Sequence, residues 1–300
     1  MKYSIVVPHY NDLGGLRVLL KSIPSRVDIE IVVVDDNSNI NKKDLSDMIS
    51  ISTCQNVKLF FNVNKPKSAG SCRNIGLENV SGKYILFGDA DDYFTEGAFD
   101  KLDYATSTRP NNDIYFYKPI SISLKDGSVS DRHVPFSNLV DEYLTGANEN
   151  IRHGYGVPWS KVYSAKYLEE ACFRFDEVIA SNDIMFSLKT GWLAKNIQVI
   201  DEVIYCVTKG TNTLTVNRTK ENQQSRILVS INASKYAVDN KIPTHKASAL
   251  VLLRNNWSAL DFNIFKYVLR GYLKGHLSFF PHIYMLYIKN PKRLLERFKK

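Results

Sequence analysis

The first part of the chain alternates between short apolar runs and longer segments in which apolar residues recur at helical spacing. Runs rich in β-branched and aromatic residues predict strands at 3–7, 29–34, 57–63 and 84–87. Helical spacing predicts helices at 13–23, 43–50 and 71–80, the first stopped by Pro24 and the last by Ser81-Gly82. Strands that alternate with helices predict an α/β fold with right-handed crossovers and a mostly parallel sheet.

The pattern becomes mixed beyond residue 100 and then wholly helical. Further strands are expected at 113–123 and 198–207, and helices at 164–171, 183–194, 221–236 and 246–262. The chain therefore divides into an α/β domain over 1–215, with halves at about 1–100 and 101–215, and a helical C-terminal extension over 216–300.

Polar side chains follow several predicted strands, at the sheet edge where α/β proteins bind ligands. Asp89 and Asp91 come directly after a buried strand and could hold a divalent cation with a diphosphate, or form an acidic turn that caps a helix. Asp35 ends a second strand and could accept from uracil N3–H or ribose hydroxyls, or act as a turn acid. Arg73 begins a helix before the Asp89 strand, where its guanidinium could bridge acids and phosphate oxygens or form a surface ion pair.

The net positive charge of the chain comes from its C-terminal end, because the first 265 residues are neutral overall. The 300 residues, 44% of them hydrophobic, carry a net charge of +8, and residues 266–300 hold nine Lys or Arg against one Glu. So much apolar material excludes a disordered chain. A neutral body with a basic, aromatic-rich tail favours an anionic membrane surface or an acidic partner over nucleic acid, which is not expected. A helix packed on the domain with a solvated basic end is the alternative.

The cysteines and apolar runs indicate a compartment. Cys54, Cys72, Cys172 and Cys206 lie far apart without metal-ligand spacing, which argues against a disulfide scaffold or a zinc site. The N-terminal apolar run is too short for a signal peptide, and the run at 277–288 is too short to span a bilayer. We expect a reducing, cytoplasmic location, peripheral to the inner face of the cell membrane.

The motifs, taken in order, resemble those of the inverting glycosyltransferases of family 2, which have the GT-A fold, a Rossmann-like mixed sheet flanked by helices. The resemblance covers roughly residues 1–215, and no G-x-G-x-x-G follows the first strand, which excludes a dinucleotide-dependent dehydrogenase. The matching segments are Ser4-Ile-Val-Val-Pro8-His-Tyr10-Asn11, Val32-Val-Val-Asp35-Asp36-Asn-Ser38, Asn64, Gly70-Ser-Cys-Arg73-Asn74-Ile-Gly76, Phe87-Gly-Asp89-Ala-Asp91-Asp92, Pro158-Trp159-Ser-Lys161-Val-Tyr163, Phe175-Asp176 and Asn182-Asp183-x-x-Phe186.

The resemblance implies a nucleotide site in the first half of the domain. Asp35 matches the acid that contacts the uracil of a UDP-sugar, and Pro8 and Tyr10 match residues that line the base pocket. Asn64 and Arg73 match positions that support the nucleotide.

The resemblance also implies a metal site and a general base. Asp89 matches the residue near ribose and metal, and Asp91 the residue that binds Mn²⁺ or Mg²⁺ directly. Asp183 matches the general base. Sugar transfer needs both, because a cation neutralises the departing diphosphate and a carboxylate deprotonates the acceptor hydroxyl. Asp183 could in addition cap the following helix.

The acceptor side is less well marked. Trp159 and Lys161 match a stretch near the acceptor, although a buried core Trp would look the same. The residue before the base is usually Glu in this family and is Asn182 here, so this position brings an amide without charge. Lys209 lies in the loop 208–213, where a basic residue could close over the diphosphate or belong to a solvated turn.

The sequence therefore predicts a metal-dependent inverting glycosyltransferase that uses a nucleotide donor, UDP-linked by resemblance, and a glycan or lipid-linked acceptor. Family resemblance suggests bacterial capsule or O-antigen (lipopolysaccharide) assembly. Two alternatives are a haloacid-dehalogenase-like phosphatase that uses Asp89 and Asp91, and a non-catalytic module of the same fold docked at the membrane. The phosphatase pattern does not account for Asp35 or Arg73.

Overall fold

A computed structural model describes residues 1–50, 56–210, 219–244 and 246–282. The chain forms two compact units, Met1–Val216 and Asn217–Lys300. The first is a mixed α/β unit and the second, in its described part, is mainly helical.

The sheet of the first unit has the strand order β3-β2-β1-β4-β7-β6-β8-β5. The strands β1 to β4 run parallel to one another, β7 is antiparallel to both β4 and β6, β8 is parallel to β6, and β5 is antiparallel to β8. The strands are β1 Tyr3–His9, β2 Ile29–Asp35, β3 Val57–Phe61, β4 Tyr84–Phe87, β5 Tyr93–Phe94, β6 Ile114–Ser123, β7 Lys161–Ser164 and β8 Ile197–Lys209.

Helices cover both faces of the sheet and form most of the second unit. In the described parts of the chain they are α1 Leu13–Ser22, α2 Lys42–Ser50, α3 Ala69–Asn79, α4 Ala98–Thr108, α5 Val134–Leu144, α6 Ile151–Gly154, α7 Ala165–Glu170, α8 Ile184–Leu193, α9 Lys220–Asp239, α10 Ala249–Asn255, a 3-10 helix at Trp257–Ala259, and α11 Phe262–Leu273.

The two faces of β1 pack into two different cores, because successive side chains of a strand point in opposite directions. Ile5 and Val7 belong to a cluster that contains the buried residues of α1 and α4. Val6 belongs to a second cluster with Phe87 and Phe186. The strands β1 and β2 are therefore buried on both sides, as expected for the centre of a parallel sheet.

Two glycines let α3 pack closely on its neighbours, Gly76 on β1 and Gly70 on the segment before α8. A Cβ atom at Gly76 would lie 2.3 Å from a methyl carbon of Val6, and one at Gly70 would lie 2.2 Å from the carbonyl oxygen of Asp176. Any larger side chain would push α3 away, and with it Arg73.

The α/β fold class and the four N-terminal strands are confirmed. The prediction differs from the structure in two places. The sequence analysis did not predict the short strands β5 and β7, because they have too few residues to show a periodic pattern. The predicted helix 246–262 is wrong, because it is interrupted after Asn255 and the chain restarts at α11, where Asp261 caps by accepting from the backbone N–H of Ile264 at 2.9 Å.

The second unit has its own small core. Residues Ile227 and Ile231 of α9 pack with Ala249, with Ile264 and Val268 of α11, and with Leu277. Gly271 leaves room for Leu277, since a Cβ atom there would lie 3.1 Å from a methyl carbon of that residue. In the described residues, no helix is long and apolar enough to cross a membrane.

Candidate active site

The turn after β4 carries the paired carboxylates. The backbone N–H of Asp89 donates to the hydroxyl of Tyr205 at 2.8 Å, and the backbone N–H of Asp92 donates to the carbonyl of Asp89 at 3.0 Å. The hydroxyl of Thr208 donates to the carbonyl of Asp91 at 2.7 Å. These bonds fix Asp89 and Asp91 at the carboxyl edge of the sheet, beside the end of β8.

Asp91 lies where its negative charge is poorly compensated. Burial, followed by the negative charge of Asp89, raises the pKa of Asp91 to about 6. Arg132 opposes that rise from the segment after β6. A cation near Asp91 would remove this cost, so the site is suited to a positively charged ligand.

Asp92 has a different task from its two neighbours. Its side chain is buried and accepts the backbone N–H of Thr208 at 2.7 Å. Burial and then the charge of Asp91 hold its pKa well above the usual range for Asp. Asp92 therefore ties the turn to β8.

The donor set fits Mg²⁺ or Mn²⁺ bound jointly with a diphosphate. No group of three or more His, Cys, Asp or Glu side chains converges on a metal position in the described part of the chain. Mg²⁺ binds through one or two carboxylates and completes its shell with phosphate oxygens and water. Asp91, with Asp89 beside it, can supply that many carboxylates.

Arg73 connects the carboxylate turn to the start of α8. Its side chain is buried, and one terminal nitrogen donates to Asp89 Oδ1 at 2.6 Å while the other donates to Asn182 Oδ1 at 2.8 Å. Burial opposes its charge, but the carboxylates of Asp89 and Asp183 outweigh that effect and raise its pKa. The amide of Asn182 thus fills the guanidinium fork without adding a negative charge.

A neighbouring contact holds the guanidinium plane in place. The carbon of the Arg73 guanidinium lies 5.2 Å from the ring centroid of Phe175, a cation–π geometry. Asn74 fixes that loop, because its side chain accepts from the backbone N–H of Phe175 at 2.8 Å and donates to the carbonyl of Phe175 at 3.0 Å. The Arg73-Asn74 pair therefore positions the site and the segment before α8 together.

Asp183 begins α8, and its carboxylate makes no capping hydrogen bond to that helix. Burial raises its pKa, the positive charge of Arg73 lowers it, and the charge of Asp89 raises it again. The carboxylate is therefore left for another task, close in electrostatic terms to both Arg73 and Asp89. The predicted base thus lies within electrostatic range of Asp89, one of the two predicted metal ligands, and its role as base stays a prediction.

Asp35, the predicted uracil acid, is held by two residues. His9 Nδ1 donates to Asp35 Oδ1 at 2.8 Å, and Ser38 donates its hydroxyl to Oδ1 at 2.5 Å and its backbone N–H to Oδ2 at 2.9 Å. Burial opposes ionisation of Asp35, but these bonds prevail and lower its pKa. The backbone N–H of Asp12 lies 3.3 Å from His9 Nε2, so the proton of a neutral His9 is on Nδ1. Oδ2 retains acceptor capacity for a ligand.

The predicted base pocket is open on the Tyr10 side. Tyr10 is 46% exposed, Pro8 is partly buried, and Lys67 Nζ lies 3.8 Å from the centroid of the Tyr10 ring. The ring is thus accessible to a ligand and carries a cation on one face.

Asn64 is exposed. The turn after β3 is held by Asn62, a residue that the sequence analysis missed. Asn62 is buried, donates to Asp36 Oδ1 at 2.7 Å, and accepts the backbone N–H of Lys65 at 3.1 Å. The predicted strand 57–63 includes Asn62, whereas β3 ends at Phe61, so the prediction did not mark Asn62 as a residue at a strand end.

Trp159 and Lys161, the aromatic and the basic residue predicted near the acceptor, are both buried. Trp159 stacks on Tyr205 with ring centroids 5.9 Å apart and packs edge-on against Phe136. Lys161 is buried as well, and its Nζ donates to the carbonyl of Tyr155 at 2.7 Å. Burial, which the charge of Asp183 only partly offsets, holds its pKa well below the usual range for Lys. Neither side chain presents its face to solvent, and the alternative of a core Trp describes Trp159.

Lys209 ends β8 on the surface, with its Nζ 3.1 Å from a carboxylate oxygen of Asp131. The loop predicted at 208–213 lies outside the described residues from 211 onward. Arg132, next to Asp131, was missed: its guanidinium donates to the carbonyl of Thr208 at 3.1 Å and acts electrostatically on Asp91. Arg132 is a single Arg in a polar loop and belongs to no recognisable motif, so the sequence did not mark it as a site residue.

Three comparisons with known proteins identify the class. The family model "Glycosyl transferase family 2" matches residues 4–171, so the chain belongs to that family. The predicted family and enzyme class are confirmed, and the phosphatase alternative is excluded.

Relatives and a solved structure agree with this assignment. Poly(ribitol-phosphate) beta-N-acetylglucosaminyltransferase TarS of Staphylococcus aureus is 27% identical over 215 residues, which cover 70% of this chain and 36% of that protein. GalNAc(5)-diNAcBac-PP-undecaprenol beta-1,3-glucosyltransferase of Campylobacter jejuni is 33% identical over 103 residues, 34% of this chain and 33% of that protein. The chain thus spans about a third of the length of these two relatives.

The fold agrees with a crystal structure of S. aureus TarS 1-349 in complex with UDP-GlcNAc. The TM-score is 0.64 at 22% identity, and the match covers 78% of this chain and 66% of that one. This likeness confirms the GT-A fold.

Proposed function

We propose that this chain is a metal-dependent inverting glycosyltransferase that moves one sugar from a UDP-linked donor to a glycan or a lipid-linked oligosaccharide. The observation that carries the proposal is the pairing of Arg73 with both Asp89 and Asn182. This pairing joins the carboxylate turn to the start of α8 and so to Asp183. Charge neutralisation and proton removal would then occur side by side.

In the proposed reaction, the acceptor hydroxyl oxygen attacks the anomeric carbon from the face opposite the diphosphate. The bond from that carbon to the diphosphate oxygen breaks, and its electron pair leaves with the nucleotide. Asp183 takes the hydroxyl proton, and its raised pKa favours that step. One displacement of this kind inverts the configuration at the anomeric carbon.

Asp91 and Asp89 would hold Mn²⁺ or Mg²⁺, which supplies positive charge to the departing diphosphate. Arg73 holds the carboxylate of Asp89 in place through a hydrogen bond of 2.6 Å. Arg132 would add positive charge near Asp91, and Lys209 stays a candidate contact to the diphosphate. Asp35, Pro8, Tyr10 and Asn64 stay candidates for the nucleoside.

The names of the relatives support the donor and acceptor classes. The matched TarS structure was solved with UDP-GlcNAc. The Campylobacter relative is named for an undecaprenol-linked substrate, and TarS for a poly(ribitol-phosphate) one. We therefore propose a role in bacterial surface polysaccharide assembly, such as capsule or O-antigen, at the inner face of the cell membrane. Trp159, Lys161 and Asn182 stay candidates near the acceptor, the first two acting from within the core.

The thermal midpoint of the purified chain tests this proposal. It is measured with UDP, with GDP and without nucleotide, each with and without Mn²⁺. A ligand at about 100 times its Kd adds roughly 2.7 kcal/mol to the free energy of unfolding. We expect a clear rise with UDP and Mn²⁺ together and less with GDP. A folded protein whose midpoint ignores every nucleotide would contradict the proposal.

A further inference from the structure

Helix α11 has three distinct sides. Ile264, Val268 and Gly271 are buried and face the core of the second unit. The remaining two sides are exposed, and one is apolar whereas the other is basic.

The apolar side is a continuous stripe, because residues three or four positions apart lie next to each other on a helix. Its side chains are between 41% and 78% exposed. We call it the α11 stripe, and its members are Phe262, Phe265, Leu269, Tyr272 and Leu273. The ring of Phe279 extends it, since its centroid lies 5.7 Å from that of Tyr272. Large apolar residues exposed together mark an interaction surface.

The basic side borders the stripe along its whole length. Lys266, Arg270 and Lys274 are exposed and follow one another at intervals of four residues. None of the three forms an ion pair with a carboxylate in the described residues. Residues 262–282 contain no Asp or Glu. The surface therefore presents uncompensated positive charge beside exposed apolar area.

We infer that this face of α11 docks on an anionic lipid bilayer, with the stripe in the headgroup and acyl boundary and the three bases on lipid phosphates. Helices of this kind lie in the plane of the membrane interface. The inference rests on the proposed function in one respect: docking on a membrane would give the enzyme access to a lipid-linked acceptor. Its physical support is the α11 surface alone.

A bilayer matches this face better than a second copy of the chain does. Two copies joined through the stripe would cover apolar area, but neither face supplies a carboxylate for the other's bases. An anionic bilayer supplies apolar depth and negative charge together, and each Lys or Arg near such a surface contributes about 1 kcal/mol.

Vesicle flotation of the purified full-length chain tests the inference. The probes are vesicles of phosphatidylcholine alone and vesicles with added phosphatidylglycerol. We expect binding to the anionic vesicles and at least tenfold weaker binding to the neutral ones. Replacing Lys266, Arg270 and Lys274 by Gln should weaken anionic binding on the order of a hundredfold. Leu269→Glu combined with Phe265→Glu should weaken it similarly.

Matched controls lie on the first unit. Val27→Glu combined with Tyr104→Glu introduces the same two charges at exposed large hydrophobic residues, and Gln at Lys125, Lys166 and Lys195 removes the same charge. Both controls should bind vesicles like the unmodified chain. All variants change exposed side chains, and an unshifted thermal midpoint without ligand verifies that each one folds.

Three results would overturn the inference. The first is equal binding to neutral and anionic vesicles, or none to either. The second is unchanged binding by the α11 variants, which would assign any membrane contact to another segment, such as the basic residues of 283–300. The third is a dimer in light scattering that Leu269→Glu dissociates while vesicle binding persists. The UDP midpoint shift, measured on the same samples, tests the proposed function separately.

Discussion

One terminal nitrogen of the Arg73 guanidinium donates to a carboxylate oxygen of Asp89 at 2.6 Å, and the other donates to the side-chain oxygen of Asn182 at 2.8 Å. Arg73 belongs to α3 and contacts two other segments, the turn after β4 and the residues just before α8. This one side chain therefore sets the spacing between the predicted metal ligands and the predicted base.

Arg73→Lys should keep the charge and lose the geometry. An ammonium group can contact Asp89 or Asn182 but cannot hold both in a planar fork. Since breaking a buried pair completely costs about 3–5 kcal/mol, this partial loss should cost about 1–3 kcal/mol of unfolding free energy. Urea denaturation measures it. Arg17→Lys, on the exposed side of α1, is the control and should change stability by less than about 0.5 kcal/mol.

Asp91→Ala should abolish the part of nucleotide binding that depends on metal. The remaining carboxylate, Asp89, is already paired with Arg73, so too little negative charge is left for a divalent cation. We expect the midpoint rise with UDP and Mn²⁺ to disappear while the midpoint of the free protein stays the same or increases, because a buried carboxylate with a raised pKa is removed. Asp47→Ala, on the exposed surface of α2, should leave the rise intact.

Asp183→Asn should remove transfer and spare UDP binding. An amide matches the carboxylate in shape but cannot accept a proton from the acceptor hydroxyl. A drop in kcat of at least a hundredfold, with an unchanged UDP midpoint shift, is the expected result. Normal turnover by this variant would remove Asp183 from the mechanism. The exposed Asp100→Asn on α4 serves as the control.

The pH dependence of transfer should report the same group. Burial raises the pKa of Asp183, so its ionised, proton-accepting form is lost at a higher pH than for an ordinary Asp. The acid limb of kcat/KM should accordingly fall above pH 3.8, the ordinary value. An acid limb at or below the ordinary value would show that a different group limits the reaction.

Glu30 should make stability depend on acid pH. It is buried on β2; burial disfavours its charge, but Lys58, Ser4 and Ser81 outweigh burial and lower its pKa from 4.5 to about 2. A lowered pKa in the folded state stabilises the protein above pH 4.5, and that stabilisation is lost as the pH falls toward 2. The difference amounts to up to about 3 kcal/mol.

Glu30→Gln should therefore flatten the dependence of unfolding free energy on pH between about 4.5 and 2. Denaturation curves at several pH values measure this slope. Exposed Glu96→Gln should leave the slope as it is. If the Glu30 variant retained the full slope, the acid dependence would belong to other carboxylates.

Prediction from sequence succeeded where a local pattern determines the structure. The apolar runs of β1, β2 and β4 are buried on both faces, so their composition alone marks them. The residues at their ends follow from the topology of a parallel sheet. Asp35, Asp89 and Asp91 were predicted in this way, and their roles in the site stay predictions.

Prediction failed where a residue's role depends on contacts distant in sequence. Arg132 acts electrostatically on Asp91 although the two lie about 40 positions apart in sequence. The side chain of Asn62, in the turn after β3, donates to Asp36, in the turn after β2. Whether an aromatic residue such as Trp159 lies in the core or in a binding cleft depends on its packing against residues distant in sequence, such as Tyr205 of β8. Such tertiary relationships leave no periodic trace in a single sequence.

The stacking of Trp159 on Tyr205 also gives the molecule a built-in optical probe. The hydroxyl of Tyr205 accepts the Asp89 backbone N–H, so a buried indole stands one residue away from the carboxylate turn. Replacing Trp192 and Trp257 by Phe would leave Trp159 as the single tryptophan emitter. Its fluorescence would then follow occupancy of the turn in real time, without a label and without turnover.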